Sequence, residues 1–151
     1  MFIRVDDRLV HGQVVTAWIK QLNAKKIFVV DDLAASNPII SKALIMATPK
    51  HVELVIKNVE DAKTSIAELN EAETMIITKA PVNVNALVDA NEKFDWTINV
   101  GNIGMAKGRE KYAQTVHLDE ENLAAINSLK TKSNVEIFMQ TVPGQSINKF
   151  D

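Results

Sequence analysis

The chain has 151 residues, 46% of them hydrophobic and 24% charged, with a formal net charge of -2 and no cysteine. That is enough apolar material for one self-sufficient core. The balance excludes the global basic field that nucleic acid or an anionic membrane requires, and the missing thiols exclude disulfides, thiolate metal sites and cysteine nucleophiles.

In chain order, short β-branched runs recur and each is followed by a helical pattern. The runs Phe2 to Val5, Lys26 to Val30, Val52 to Ile56, Thr74 to Thr78, Asp95 to Val100, Thr115 to Leu118 and Val135 to Gln140 predict seven strands. After the first, Val14, Val15, Trp18, Ile19 and Leu22 recur at helical spacing. After the second, Ile39, Ala43, Leu44 and Ala47 do the same, with Ser36 available as a cap ahead of Pro38. Further helices fit Val59 to Leu69, Val82 to Glu92 and Glu120 to Leu129. "IFVV" and "MII" are continuously apolar rather than alternating, as expected of strands covered on both faces of a parallel sheet. The alternation predicts a single-domain α/β open sheet over residues 1–151, mostly parallel with about seven strands and helices on both faces. The last two strands follow a longer irregular stretch, so a mixed sheet stays open. Arg4, Asp6, Asp7 and Arg8 interrupt the N-terminus before any signal-peptide core, and no apolar run approaches the roughly 20 residues of a membrane span. A cytoplasmic protein is expected.

In open α/β sheets, ligands collect outside the carboxyl ends of the strands. The stretch "VDDRLVHGQVV", Val5 to Val15, occupies such a position after the first strand. His11 directly precedes Gly12 and a helix starting near Gln13, whose unpaired amides would favour an anion. A neutral imidazole can attack a phosphoryl group through its free nitrogen. The Arg8 fork suits phosphate oxygens, and Gly12 permits a close backbone approach. Asp6 or Asp7 could orient the second ring nitrogen or hold Arg8. The competing reading is a solvated turn whose acids favour the helix N-terminus.

The other polar stretches carry weaker signals. His51 and His117 stand at strand edges without a neighbouring glycine, arginine and helix start, and are read as structural. Asn99 to Tyr112 holds three of the five glycines but matches neither a dinucleotide fingerprint nor a P-loop. Its Lys107, Arg109 and Lys111 would form a basic rim. Asp31 and Asp32 fit turn and capping chemistry, and Trp18 and Trp96 fit the core. No metal-ligand motif is present, and no cofactor is expected.

The strings "RVDDRLVHGQV" and "INVGNIGMAKG", with Val142 and Pro143, resemble the IIB subunit of the mannose/fructose/sorbose family of the bacterial sugar phosphotransferase system. The likeness covers essentially the whole chain. It implies a phosphoryl carrier, a protein-Nπ-phosphohistidine–sugar phosphotransferase that takes phosphate from a IIA protein and passes it to a sugar entering through membrane subunits IIC and IID. Under that resemblance His11 is the phosphorylated residue, through Nδ1, with Arg8 as the cation holding the phosphate. Asp6, Gly12 and Gln13 are its supports. With no IIA domain ahead of the motif, the resemblance implies a donor on a separate polypeptide and a peripheral place at the membrane transporter. A homo-oligomer stays open, and so does the sugar, which the family's membrane subunits select. The rival class is a receiver-like regulatory or binding module with Asp6 and Asp7 holding magnesium. A receiver requires an aspartate at the end of the third strand, where Lys57 and Asn58 stand, and its lysine one strand later than Lys79.

Overall fold

A computed structural model describes residues 1–150. The β-branched runs form β1 (Phe2–Asp6), β2 (Lys26–Val30), β3 (Glu53–Lys57), β4 (Thr74–Thr78), β5 (Trp96–Asn102), β7 (Val116–Leu118) and β8 (Val135–Met139). Two further strands, β6 (Glu110–Ala113) and β9 (Asn148–Lys149), have no such composition. The helices are α1 (Gly12–Leu22), α2 (Asp32–Ser36), α3 (Pro38–Ala47), α4 (Val59–Ser65, continued by a 3₁₀ turn at Ile66–Glu68), α5 (Pro81–Ala90) and α6 (Glu120–Lys130).

The main sheet has seven strands in the order β3-β2-β4-β1-β5-β8-β9, every pair parallel except β8 with β9. Side chains two apart on a strand share a face, so β1, β2, β3 and β4 each feed two cores. Ile3, Val5, Phe28, Ile76 and Ile98 meet α4, α5 and α6 on one side. Ile27, Val29, Met75 and Ile77 meet α1, α2 and α3 on the other. This double cover is what the uninterrupted apolar runs require. The connection from β1 leads one way, through α1 to β2, while that from β5 leads the other way, through β6, β7 and α6 to β8. Such a reversal between neighbouring strands opens a crevice at their carboxyl ends, and the loop from Asp7 to His11 lies there.

Two expectations need correction. Thr115 to Leu118 is not in the main sheet: β7 pairs antiparallel with β6 in a separate two-stranded ribbon, tied to the end of β5 by an Ile103–Val116 bridge. Val116 and Leu118 are buried there while β6 stays largely exposed, so only half the ribbon has an apolar signature. The sheet reaches seven strands through β9, a two-residue antiparallel edge that makes it mixed. Ser36 closes α2 instead of capping α3. The cap is Asn37, whose side chain accepts from the amides of Ile39 and Ile40, with Pro38 at the first helical position.

Asn37→Ala is therefore expected to lower the unfolding free energy by about 1 kcal/mol in urea titration, while Ser36→Ala changes it by less than about 0.5 kcal/mol. The reverse order would return the cap to Ser36.

Candidate functional site

The first loop is built as a tight turn anchored at both ends. The Leu9 amide donates to the Asp6 carbonyl at 3.0 Å, and the Arg8 amide donates to Asp6 Oδ1 at 3.0 Å. Leu9 adopts a left-handed conformation (φ 56°), unusual for a branched side chain. Burial of Leu9 and Val10 in the core beneath α2 and α3 holds it there. His11 then occupies the N-cap of α1 in extended conformation, but its ring does not cap the helix. The first amides of α1 are thus left without a side-chain partner beside the imidazole, where the helix dipole favours an anion. Gly12, with φ 45°, and Gln13 are both exposed there.

The ring has one engaged and one open nitrogen. Nε2 lies 2.9 Å from Asp6 Oδ2. Nδ1 has no hydrogen bond, and among the described residues the only buried side-chain nitrogen or oxygen without a partner is Asn85 Oδ1. Nδ1 therefore reaches the surface, although the ring as a whole is only 16% exposed. With Asp6 ionised, Nε2 carries the proton and Nδ1 the lone pair.

Beneath the ring lies an ion pair that sequence reasoning missed. Arg4 Nη2 is 3.0 Å from Asp6 Oδ2, with side-chain exposures of 2% and 1%. Arg4 Nη1 donates to Asn99 Oδ1 and to the Gln140 carbonyl. The Arg4 guanidinium also lies 5.6 Å from the centre of the Trp18 ring, and Trp18 is fixed by its Nε1–H donating to the Thr141 carbonyl. Burial pushes Arg4 below its ordinary value, while the charge of Asp6 and its hydrogen bond pull it back up. A guanidinium remains a cation at any physiological pH. The β1–β5 register slips by one residue at Gly101, leaving Val5 opposite Val100 and Asp6 opposite Asn102. A Cβ built at Gly101 would overlap the Arg4 guanidinium. The slip and the missing side chain together make the seat, as bulges beside functional sites commonly do.

The two acids part company. Asp6 orients the ring and holds the Arg8 amide, not its guanidinium. Asp7 ties the loop to β5, accepting from Asn102 Nδ2 at 2.9 Å and the Gly104 amide at 2.8 Å, with Arg109 Nη1 at 3.9 Å. The Arg8 side chain is exposed and forms no hydrogen bond or ion pair among the described residues, leaving its fork available. Of the basic rim, Lys107 and Lys111 are exposed, whereas Arg109 donates to the Gly104 carbonyl. Asp31 caps α2, Asp32 accepts from the Val59 amide, His117 Nδ1 is 3.1 Å from the Ile103 carbonyl, and His51 is exposed. Among the described residues no three His, Cys, Asp or Glu side chains form a metal-binding group. Grooves of about 720 Å³ and 640 Å³ lie along the ribbon and at the end of β8, and His11 lines neither.

The signal for Arg4 was present: a charge at the centre of a strand covered on both faces must have a buried partner, and its register neighbour in β5 is Asn99.

The chain is similar to known proteins over its whole length. The family model described as "PTS system sorbose subfamily IIB component" matches residues 1–151. A probable phosphotransferase enzyme IIB component of Streptococcus pyogenes serotype M6 is 33% identical over 150 residues, covering 95% of this chain and 92% of that protein. The N-acetylgalactosamine-specific phosphotransferase enzyme IIB component 2 of Escherichia coli is 30% identical over 141 residues, covering 93% and 88%. The crystal structure of the N-acetylgalactosamine-specific IIB component 1 of Escherichia coli superposes with a TM-score of 0.90 at 26% identity, covering 99% of this chain and 98% of that one.

Asp6→Asn leaves Arg4 buried without its counter-charge and is expected to lower stability by about 3–5 kcal/mol in urea denaturation. Asp7→Asn, in a half-exposed network, is expected to cost about 1–2 kcal/mol. Equal effects would contradict the division of labour between the two acids.

Proposed function

The chain belongs to the PTS system sorbose subfamily IIB components, phosphoryl carriers in sugar transport, and from that premise we propose that His11 is the residue that carries the phosphoryl group. One observation carries the assignment: the ring is fixed through Nε2 by Asp6 and open at Nδ1, on a loop at the carboxyl edge of the sheet.

In the transfer, the Nδ1 lone pair of His11 attacks the phosphorus of a donor phosphohistidine on a IIA protein. The donor phosphorus–nitrogen bond breaks as the new one forms, and the positive charge carried by the donor ring passes to the His11 ring. Nε2 keeps its proton, and Asp6 faces the charge as it develops. The unpaired fork of Arg8 and the first amides of α1, at Gly12 and Gln13, meet the phosphoryl oxygens. Positioning and charge neutralisation supply most of the catalysis in such a step. No metal or cofactor enters this reading.

IIB components work with IIA and with membrane IIC and IID components. For this chain, the donor is a IIA protein docking over the Asp6–His11 loop, and the acceptor is a sugar presented by IIC and IID, with the chain held peripherally at the membrane. No helix among the described residues is long and apolar enough to cross a bilayer. A receiver-like role finds no support, since Asp6 is committed to Arg4, Arg8 and His11, and Asp7 to Asn102 and Gly104.

Incubation with a phosphorylated IIA donor is expected to label the chain with an acid-labile, alkali-stable phosphoryl group that is absent in His11→Ala. Undiminished labelling of that variant overturns the assignment. Arg8→Lys, losing one charge-assisted hydrogen bond, is expected to slow transfer about tenfold or more, and transfer at the native rate would remove Arg8 from the phosphate.

A further inference from the structure

Arg4 is almost fully buried and still receives an elaborate seat: Asn99, the Gln140 carbonyl, the face of Trp18 and the side-chain-free bulge at Gly101. We propose that Arg4 is a positioning residue for phosphoryl transfer: it keeps the Asp6 carboxylate an anionic acceptor, which holds the proton of His11 on Nε2 and leaves the lone pair on Nδ1. The proposal rests on the reading of His11 as the phosphoryl carrier and adds the reason why that nitrogen is the nucleophile.

Three considerations support it. First, stability alone does not call for this pair. A buried ion pair contributes little net stability, and apolar residues of the same volume commonly serve as well or better. The charge must therefore matter for something other than packing. Second, the geometry is a chain. Asp6 Oδ2 is shared between Arg4 Nη2 at 3.0 Å and His11 Nε2 at 2.9 Å, while Oδ1 takes the Arg8 amide. Arg4 Nη2 and the Arg8 amide are fixed donors, so the carboxylate is set among donors and, when ionised, accepts from His11 Nε2 as well. Third, the consequence of losing the cation is specific. A carboxylate buried without a counter-charge takes up a proton. A carboxylic acid then donates to Nε2 rather than accepting from it, the ring proton moves to Nδ1, and the lone pair that should attack phosphorus is gone. Arg4 thus acts on the reaction through Asp6 without touching the phosphoryl group.

The test reads the ring itself. With histidine labelled by ¹⁵N, the nitrogen shifts of His11 at a pH where the ring is neutral give the ratio of Nε2–H to Nδ1–H forms. Initial rates of labelling from a phosphorylated IIA donor are measured on the same samples. The native protein is expected in the Nε2–H form. Arg4→Met, shown folded by circular dichroism, is expected to shift toward Nδ1–H and to be phosphorylated about tenfold more slowly or worse. Arg4→Lys, which keeps the positive charge, is expected to recover most of both. If Arg4→Met does not fold, Gly101→Ala takes its place, since its Cβ displaces the guanidinium while leaving every charged group in the chain, and the same shift is expected. A native protein mainly in the Nδ1–H form overturns the proposal. So does a folded Arg4→Met with native ratio and rate, and so does an Arg4→Lys no better than Arg4→Met. Failure of the native chain to be labelled at His11 instead overturns the carrier reading, and the tautomer comparison still decides what Arg4 does.

Discussion

The buried contact between Arg4 and Asp6 sets the terms for everything around it. Two charges taken out of water lose several kcal/mol of hydration each, and their attraction offsets this only when the remaining donors and acceptors are also met. The local structure is organised to meet them. Asn99 stands opposite Arg4 in the β1–β5 register, β8 ends so that the Gln140 carbonyl faces the guanidinium, and Trp18 on α1 covers it. Glycine is required at 101 because any side chain there would occupy the space of the guanidinium. Parts of β1, β5, the end of β8 and α1 thus converge on the Arg4–Asp6 pair, which is why the histidine above it sits on a rigid floor although it belongs to a loop.

That rigidity is confined to one side of the ring. Nε2 points inward to a fixed partner, whereas Nδ1 and the Arg8 fork are without internal commitments and Gly12 and Gln13 are exposed. A carrier must meet two different partners in turn, so its reactive atom has to be reachable without any pocket opening. The site accordingly lies apart from the larger grooves of the surface. A transient protein–protein encounter needs a modest exposed patch around the reactive atom rather than a deep cleft. Leu9 makes the two requirements compatible. Its left-handed backbone turns the loop outward, while its buried side chain prevents the loop from swinging.

What could be read from the sequence follows from how each element is stabilised. Strands covered on both faces announce themselves by continuous β-branched runs, so β1 to β5 and β8 are legible nearly to the residue. The ribbon strand β6 is held by pairing with β7 and contributes "EKYA" with little burial, and β9 adds two exposed residues to an edge. Neither needs an apolar pattern, so neither leaves one. His11, Arg8 and Gly12 stood out because a helix N-terminus after a strand is a local signal. Asp6 could not be distinguished from Asp7 by sequence, because Asp6 ends β1 with its partners within five residues while Asp7 opens the turn and finds Asn102 95 residues away. Arg4 was overlooked for a related reason: at the beginning of a chain, a charge reads as exposed until the strand containing it is known to be central.

The sharing of one carboxylate between a guanidinium and an imidazole also bears on the energetics of a relay. On the proposed assignment of the phosphoryl group to His11, the ring gains positive charge on phosphorylation, and an adjacent carboxylate stabilises that state. A carboxylate with no other partner would stabilise it strongly, and the phosphoryl group would then be slow to leave. Because Asp6 already faces Arg4, the field it presents to the ring is partly cancelled. It still specifies where the proton sits, since tautomer choice depends on the direction of a hydrogen bond at 2.9 Å rather than on net charge. Orientation is thus retained while stabilisation of the charged intermediate is held back. A group that must be accepted from one protein and surrendered to a sugar requires that balance, because a carrier that binds its cargo too well lowers the rate of the second transfer as much as it favours the first.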